Sequence, residues 1–147
     1  MPNIQIGLQL YTVRDLLQKD YAGTIRQVAR IGYAGVEGGS GPMSREEFDK
    51  LLKELHLQNP SSGGGVDAIE KQGDALLKPL AAAGIKFFMV SSKQESAEAY
   101  KAFAKRLNGA GKACQAHGIT FQYHNHAAEF MDFGGKTGYD VLIEETD

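Results

Sequence analysis

Strand-like and helix-like patterns of apolar residues alternate along the whole chain. Residues 4–11 alternate apolar and polar positions with a period of two, as a half-buried strand does. Residues 21–31 instead carry apolar residues at helical spacing, and Gly32 follows as a helix stop. The same order of helix, glycine and strand returns at Gly84 and Gly118. The pattern therefore predicts a repeated strand–helix unit.

The predicted strands begin near residues 4, 33, 57, 85 and 119, with helices between them. Ser44 and Glu47 form a capping box at the start of one helix, and Thr137 and Asp140 open the last one. Pro79 should kink or end the third helix, because proline donates no N–H and crowds the preceding turn. Repeated units of this kind need parallel strands joined by right-handed crossovers.

Composition and charge narrow the class of protein. The chain has 147 residues, of which 42% are hydrophobic and 23% charged, close to soluble globular averages. Its 16 basic and 18 acidic residues give a net charge of −2, which disfavours nucleic acid as a partner. No apolar stretch reaches the ~20 residues of a membrane span, and the start carries no signal-peptide pattern. We therefore expect a cytoplasmic protein without membrane partners, whose single cysteine, Cys114, is a buried thiol.

Both ends of the chain resemble a known family. The first of these segments is IGLQLYTVRDLLQKDYAGTIRQVARIGYAGVEGG, and the second is ITFQYHNHAAEF followed by KTGYDVLIEETD. They resemble the opening and the fifth strand–helix unit of the xylose isomerase-like sugar phosphate isomerase/epimerase family. The resemblance implies a (β/α)8 TIM barrel. It also implies a divalent metal cofactor (Mn, Zn, Mg or Co) at the C-terminal strand ends, and proton transfer next to a sugar carbonyl.

The length fits only part of such a barrel. At the spacing of the predicted strands, eight units need about 230 residues, close to the ~250 usual for the fold. The sequence therefore predicts an α/β fold, a partial (β/α)8 TIM barrel of about five parallel βα units, as one truncated, half-barrel-like domain over residues 1–147. Residues 61–65 (SSGGG), where the family usually has a histidine, are predicted to be a flexible loop.

Candidate metal ligands lie in the fifth strand. His124 and His126 are two residues apart, so both side chains project from the same strand face and two imidazoles can approach one metal ion. Glu129 follows closely and adds a carboxylate, which makes it a candidate catalytic residue. The alternative is that these side chains form hydrogen bonds with neighbouring strand ends.

Further candidates follow the first two strands. Glu37 ends the second strand and Gln9 lies near the end of the first, at the C-terminal face where barrel sites assemble. Glu37 is predicted to be a second catalytic carboxylate or an acceptor for a sugar hydroxyl, and its alternative is a structural pair with Arg14. Gln9, Tyr11 and Arg14 are predicted to bind the substrate, and the alternative for Arg14 is that it caps nearby loop carbonyls.

Two interpretations of function remain open at this stage. The first is a metal-dependent isomerase or epimerase of a small sugar or polyol, impaired in a chain that has only five units. The second is a non-catalytic half-barrel that assembles through its open strand edges. Five parallel strands cannot close a barrel of this type, and unpaired edges favour pairing with another chain, so we expect a homo-oligomer, most simply a dimer.

Overall fold

A computed structural model describes residues 4–147. Within them the strands form two parallel sheets, of two and three strands, accompanied by seven α-helices and two short 3-10 helices. The strands are β1 (Gly7–Gln9), β2 (Gly35–Glu37), β3 (Ser61–Gly63), β4 (Phe87–Val90) and β5 (Thr120–Tyr123). The α-helices are α1 (Arg14–Leu17), α2 (Tyr21–Ile31), α3 (Arg45–Glu54), α4 (Val66–Gln72), α5 (Asp74–Ala82), α6 (Ala97–Ala116) and α7 (Gly138–Glu145). This alternation is consistent with a partial TIM barrel.

The chain divides into two compact units, Met1–Ser62 and Gly63–Asp147, each with a hydrophobic core of its own. The buried core residues of the first unit are Leu10, Ile25, Val28, Val36, Phe48, Leu51, Leu52 and Leu57. Those of the second are Val66, Ile69, Leu77, Phe88, Val90, Tyr100, Phe103, Ala104, Leu107, Ala110, Cys114, Ile119, Val141 and Leu142. Each large aliphatic side chain contributes roughly 1.5–3 kcal/mol when fully buried, so these cores are the main source of stability.

In the first unit, β1 and β2 pair in parallel with Gln9 opposite Glu37. Gln58 extends this sheet by one parallel bridge to Gly35, and the N–H of Val36 donates to the Gln58 carbonyl oxygen at 2.7 Å. A Cβ on Gly35 would lie 2.6 Å from that oxygen, which is closer than any side chain permits. The register of the strand ends therefore depends on a glycine at position 35.

In the second unit the strand order is β3-β4-β5, with Phe88 opposite Phe121 and Val90 opposite Tyr123. Phe121 and Tyr123 pack against the core, as their alternation with polar residues predicts. The ladder continues past the end of β5, because the N–H of His124 donates to the carbonyl oxygen of Val90 at 2.8 Å. The sheet thus fixes the position at which His124 leaves it.

The predicted helix starts are confirmed. The hydroxyl oxygen of Ser44 accepts a hydrogen bond from the backbone N–H of Glu47, and the backbone N–H of Ser44 donates to the Glu47 carboxylate, which makes a complete capping box for α3. Thr137 and Asp140 do the same for α7. The long helix α6 buries one face, formed by Tyr100, Phe103, Ala104, Leu107, Ala110 and Cys114. Among them is Cys114, whose pKa is raised by burial to about 11.

The predicted glycine stops are also confirmed. Gly32, Gly84 and Gly118 have φ angles of 106°, 83° and 70°, the left-handed region in which side chains are disfavoured. No atom lies within 4 Å of a Cβ built on any of the three. Glycine is therefore required at these positions by backbone conformation and not by lack of space.

The prediction that Pro79 kinks or ends the third helix is wrong. The segment forms two helices, and the break lies at Gly73, where φ is +49° and ψ is −122°. Helix α5 continues past Pro79 to Ala82. Gly73 adopts a conformation that ends α4, whereas Pro79 fits within α5 with the loss of a single backbone hydrogen bond.

The prediction of a loop over residues 61–65 is wrong in part, because Ser61–Gly63 is strand β3. The extended segment predicted just before it is present as the bridge at Gln58. Pro60 lies between the bridge and the strand, and its missing N–H accounts for the interruption.

The first strand is shorter than predicted. It covers Gly7–Gln9, and a 3-10 helix occupies Leu10–Val13, because the hydroxyl of Thr12 donates to the carbonyl oxygen of Gln9 at 2.6 Å. Ile4 and Ile6 precede the strand and are 79% and 64% exposed. Among the helices described for residues 4–147, none combines the length and the apolar character needed to cross a membrane.

Candidate functional site

Two histidine rings lie side by side just beyond β5. The ring centroids of His124 and His126 are 4.7 Å apart, and the ring planes are inclined at 60°. The predicted juxtaposition is present, but the prediction that both residues lie within the fifth strand is wrong, because β5 ends at Tyr123. His126 Nδ1 lies 3.1 Å from the hydroxyl oxygen of Ser91, which follows β4. This contact engages one ring nitrogen of His126 and leaves Nε2 free to bind another group.

The buried side chain of Glu129 forms a hydrogen bond with the backbone at His126. The side chain is 1% exposed, Oε1 accepts a hydrogen bond from the Tyr123 hydroxyl at 2.7 Å, and Oε2 accepts from the N–H of His126 at 2.9 Å. Burial raises the pKa of Glu129, but these hydrogen bonds outweigh it, so the pKa lies below its ordinary value of 4.5. The residue is a buried carboxylate with both oxygens engaged. A catalytic role for it stays a prediction.

Tyr123 completes the support. Its hydroxyl also lies 3.0 Å from the carbonyl oxygen of Ser92, and its ring packs edge-on against Phe103 at 6.4 Å. Burial, with the neighbouring Glu129 carboxylate, raises the pKa of Tyr123, so the hydroxyl keeps its proton and donates it. Sequence analysis missed this role. The alternation of apolar and polar residues along the strand predicts which way the Tyr123 ring points, but it does not predict the hydrogen-bond partner of the hydroxyl.

The metal predicted by resemblance needs more ligands than this group offers. A protein zinc site takes three or four ligands, and His124 and His126 supply two. Both oxygens of Glu129 already accept hydrogen bonds within the unit. Among residues 4–147, no group of three or more His, Cys, Asp or Glu side chains is placed to hold a metal ion. The described residues therefore fit part of a metal site and not a complete one.

The first unit carries the second group of predicted residues. Gln9 Nε2 donates to Glu37 Oε1 at 2.8 Å, across the carboxyl ends of β1 and β2. Arg14 does not form the alternative pair with Glu37. Its guanidinium donates to the carbonyl oxygen of Tyr11 at 3.1 Å and lies 4.6 Å from the centroid of the Tyr11 ring. Tyr11 is 69% exposed, so the stacked pair faces solvent.

The structure thus brings the predicted residues together as two groups, one in each unit. In the first unit, Gln9 and Glu37 are hydrogen-bonded, and Arg14 and Tyr11 form a separate contact after the same strand. The second unit joins the two histidines to Glu129. Both groups lie at the carboxyl ends of parallel strands, where sites form in α/β folds. The roles assigned to the individual residues stay predictions.

Comparison with known proteins supports the fold. No protein-family model and no curated protein matches this sequence. Two solved structures from Parabacteroides distasonis, both described as sugar phosphate isomerase/epimerases, are similar to this chain. The first aligns with a TM-score of 0.82 at 24% sequence identity, and the aligned region covers 97% of this chain and 65% of that protein's chain. The second aligns with a TM-score of 0.80 at 19% sequence identity, and the aligned region covers 100% of this chain and 63% of that protein's chain.

The chain therefore has the fold of sugar phosphate isomerase/epimerase structures and spans about two-thirds of their length, 65% in one and 63% in the other. This confirms, at the level of fold, the resemblance seen in the sequence. The activity named for those two proteins belongs to chains that are longer by about a third of their own length.

Proposed function

We propose that this chain forms the first five βα units of a TIM-barrel enzyme that isomerises or epimerises a small sugar or polyol. The observation that supports this most is the pair of histidines directly beyond β5, in a chain whose whole length matches the fold of sugar phosphate isomerase/epimerase structures. Polar groups follow the carboxyl ends of β1, β2 and β5, the position from which barrel enzymes act.

Glu37 is proposed to move the proton. Isomerisation and epimerisation remove a proton next to a carbonyl and return it to the same or a neighbouring carbon, which requires a base that becomes an acid. Gln9 donates to Oε1 of Glu37 and leaves Oε2 available for that transfer. Tyr11 and Arg14 are proposed to contact the substrate through the phenol ring and the guanidinium, which suit hydroxyl and phosphate groups respectively.

His124 and His126 are proposed to be two ligands of a divalent cation (Mn, Zn, Mg or Co), with the other ligands supplied by barrel units outside this chain. A bound cation of this kind polarises the substrate carbonyl. Within this chain, Glu129 acts as a positioning residue, since it fixes the backbone at His126. Ser91 limits the rotation of the same imidazole.

The experiment compares two proteins. One is the 147-residue chain, and the other is the same chain fused to the last third of the Parabacteroides structure that it matches with a TM-score of 0.82. Each is incubated in D₂O with a panel of sugars, sugar phosphates and Mn²⁺. NMR then measures the deuterium gained at the carbon next to the carbonyl. We expect exchange and product from the fusion and little or none from the chain alone.

Two variants of the fusion protein test whether Glu37 transfers the proton. Glu37→Gln should reduce the exchange rate at least about 100-fold, the lower end of the range for general acid–base catalysis, and Glu54→Gln on the exposed end of α3 should leave it unchanged. Fast isomerisation by the chain alone would show that the remaining units are unnecessary. A folded fusion that exchanges no substrate in the panel would overturn the proposed function.

A second candidate function is an assembly module without catalysis of its own. It is favoured by one observation, the open edges of β1 and β5 at the ends of the two sheets described for residues 4–147. Such a module would bind its partner and show no exchange in the fusion experiment.

A further inference from the structure

The segment that follows β2 in the first unit is rich in glycine. Residues 38–41 (GGSG), here called the β2 loop, begin directly after Glu37, the last residue of the strand. Glycine gives such a segment many accessible backbone conformations. The ladder between β1 and β2 ends at the pair of Gln9 and Glu37, so the β2 loop lies outside the sheet. Its position therefore depends on contacts other than strand pairing.

Tyr21, the first residue of α2, contacts the β2 loop at two points. Its hydroxyl donates a hydrogen bond to the carbonyl oxygen of Gly39. Gly41 lies directly against the ring, because a Cβ built on this glycine would overlap the ring atoms of Tyr21. Burial raises the pKa of Tyr21, so the hydroxyl keeps its proton and remains a donor. The ring also packs on Phe48 of α3, with 6.4 Å between the centroids, which joins the loop to the core.

Asn59 holds the first carbonyl group of the same loop. Its Nδ2 donates to the carbonyl oxygen of Gly38 at 2.9 Å. Its Oδ1 is buried and has no hydrogen-bond partner within residues 4–147. A buried amide oxygen without a partner is unfavourable and offsets what the hydrogen bond at Nδ2 contributes to folding. Stability alone therefore does not account for an asparagine at this position.

The turn after Glu37 is also tight. Gly38 has a φ angle of 149°, and a Cβ built on it would lie 3.0 Å from Cβ of the buried Leu10. The chain therefore passes close to Leu10 as it leaves β2. Because one peptide bond joins Gly38 to Glu37, a displacement of the β2 loop also displaces the end of the strand.

We propose that Tyr21 and Asn59 are positioning residues for Glu37. By holding the first two carbonyl oxygens of the β2 loop, they keep the end of β2 where Oε1 of Glu37 accepts the hydrogen bond from Gln9 at 2.8 Å. A group that transfers a proton must be held close to the reacting atom, and a misplacement of about 1 Å can cost roughly 100-fold in rate. The catalytic consequence rests on the proposed function, in which Glu37 transfers the proton.

The first test uses the 147-residue chain and needs no enzymatic activity. The NMR signals of the Gln9 side-chain NH₂ group report its hydrogen bond to Glu37, and Glu37→Gln gives the reference spectrum without the carboxylate. Tyr21→Phe removes the hydroxyl and keeps the ring, whereas Asn59→Ala removes the amide. We expect each of these two variants to move the Gln9 signals toward those of Glu37→Gln.

Tyr33→Phe is the matched control for Tyr21→Phe. Tyr33 packs on the same hydrophobic core, but the first two carbonyl oxygens of the β2 loop are held by Asn59 and Tyr21. The control variant should therefore leave the Gln9 signals in place. Circular dichroism and urea unfolding of every variant measure the folded fraction under the conditions of the assay.

The second test uses the fusion of this chain to the last third of the Parabacteroides structure, and it measures kcat and KM for deuterium exchange. A displaced Glu37 slows proton transfer, while the groups that bind the substrate are unchanged. We expect Tyr21→Phe and Asn59→Ala each to lower kcat by roughly 10- to 100-fold, with KM changed by less than about 2-fold. Tyr33→Phe should change neither constant.

Each outcome supports or overturns the proposal. Gln9 signals that move in Tyr21→Phe and Asn59→Ala, but not in Tyr33→Phe, support it. A residue whose folded variant leaves the signals in place is not a positioning residue, and an equal change in Tyr33→Phe overturns the proposal as a whole. A fusion that exchanges no substrate contradicts the proposed function, and the NMR result then decides the positioning by itself. An unchanged kcat beside moved signals overturns the catalytic consequence.

Discussion

Replacing Glu129 by glutamine changes the hydrogen bonds that hold the segment of the two histidines, while the volume of the side chain at position 129 stays nearly the same. The carboxylate accepts one hydrogen bond on each oxygen, from the Tyr123 hydroxyl and from the N–H of His126. A glutamine side chain keeps one acceptor oxygen and presents an NH₂ group in place of the other. The hydrogen bond from the Tyr123 hydroxyl to the carboxylate is therefore lost, and this hydroxyl keeps the Ser92 carbonyl oxygen, 3.0 Å away, as its acceptor.

The magnitude follows from the charge and the burial. A hydrogen bond to an ionised group contributes roughly 1.5–3 kcal/mol, and a buried donor left without a partner costs about 1–3 kcal/mol. Because the Ser92 carbonyl oxygen remains as an acceptor, only the first of these terms applies, and we expect Glu129→Gln to lower the free energy of unfolding by about 1.5–3 kcal/mol at pH 7. Urea unfolding followed by circular dichroism measures it.

Tyr123→Phe is the matched control, because it removes the hydroxyl and keeps the ring that packs on Phe103. In a double-mutant cycle the effects of Glu129→Gln and Tyr123→Phe should not add, since both break the contact between Tyr123 and Glu129. Additive effects would show that the hydrogen bond at 2.7 Å contributes nothing measurable.

The pH dependence gives an independent test. The pKa of Glu129 is lower in the folded chain than its ordinary value of 4.5, so its ionised form stabilises the fold above that value. This stabilisation is lost as the pH falls through the lowered folded pKa. The difference between wild type and Glu129→Gln should therefore be complete at pH 7 and shrink below about pH 4. Equal stability of the two proteins at pH 7, or a difference that persists undiminished at pH 3, would refute the reasoning.

The remaining predictions concern packing and metal affinity. Gly138→Ala places a methyl group against the buried ring of Tyr100 and should cost about 1–3 kcal/mol in urea unfolding, whereas Gly109→Ala, which meets no atom within 4 Å in α6, should gain about 0.5–1 kcal/mol. Calorimetry with Zn²⁺, Mn²⁺ and Co²⁺ should show at most weak binding to the 147-residue chain, lost in His124→Ala and His126→Ala. Tight binding that survives both substitutions would mean that other residues hold the metal.

Features decided within a few residues could be predicted from the sequence. The capping boxes at Ser44 and Thr137 depend on residues three positions apart, and the glycine stops depend on the backbone of a single residue. The spacing of His124 and His126 also predicted that their rings lie together, although β5 ends at Tyr123, before both residues. These signals are short-range, so one sequence contains all the information they need.

Features decided by packing could not be predicted in this way. Glu37 was expected beside Arg14 if it was structural, but the register of β1 against β2 pairs it with Gln9. The partners of Glu129 come from β5 and from the backbone at His126, and no pattern in the sequence specifies them. The break at Gly73 also competes with one at Pro79, and the choice between them depends on how α4 and α5 pack.

The three glycines that end α2, α5 and α6 have a consequence for chemical synthesis of the chain. Their φ angles of 106°, 83° and 70° are unfavourable for L-residues but natural for residues of the opposite chirality. The backbone conformation at these helix ends therefore suits D-alanine, which would restrict the unfolded chain more than glycine does. Mirror-image residues at these junctions are thus a route to a more stable barrel segment with unchanged side-chain contacts.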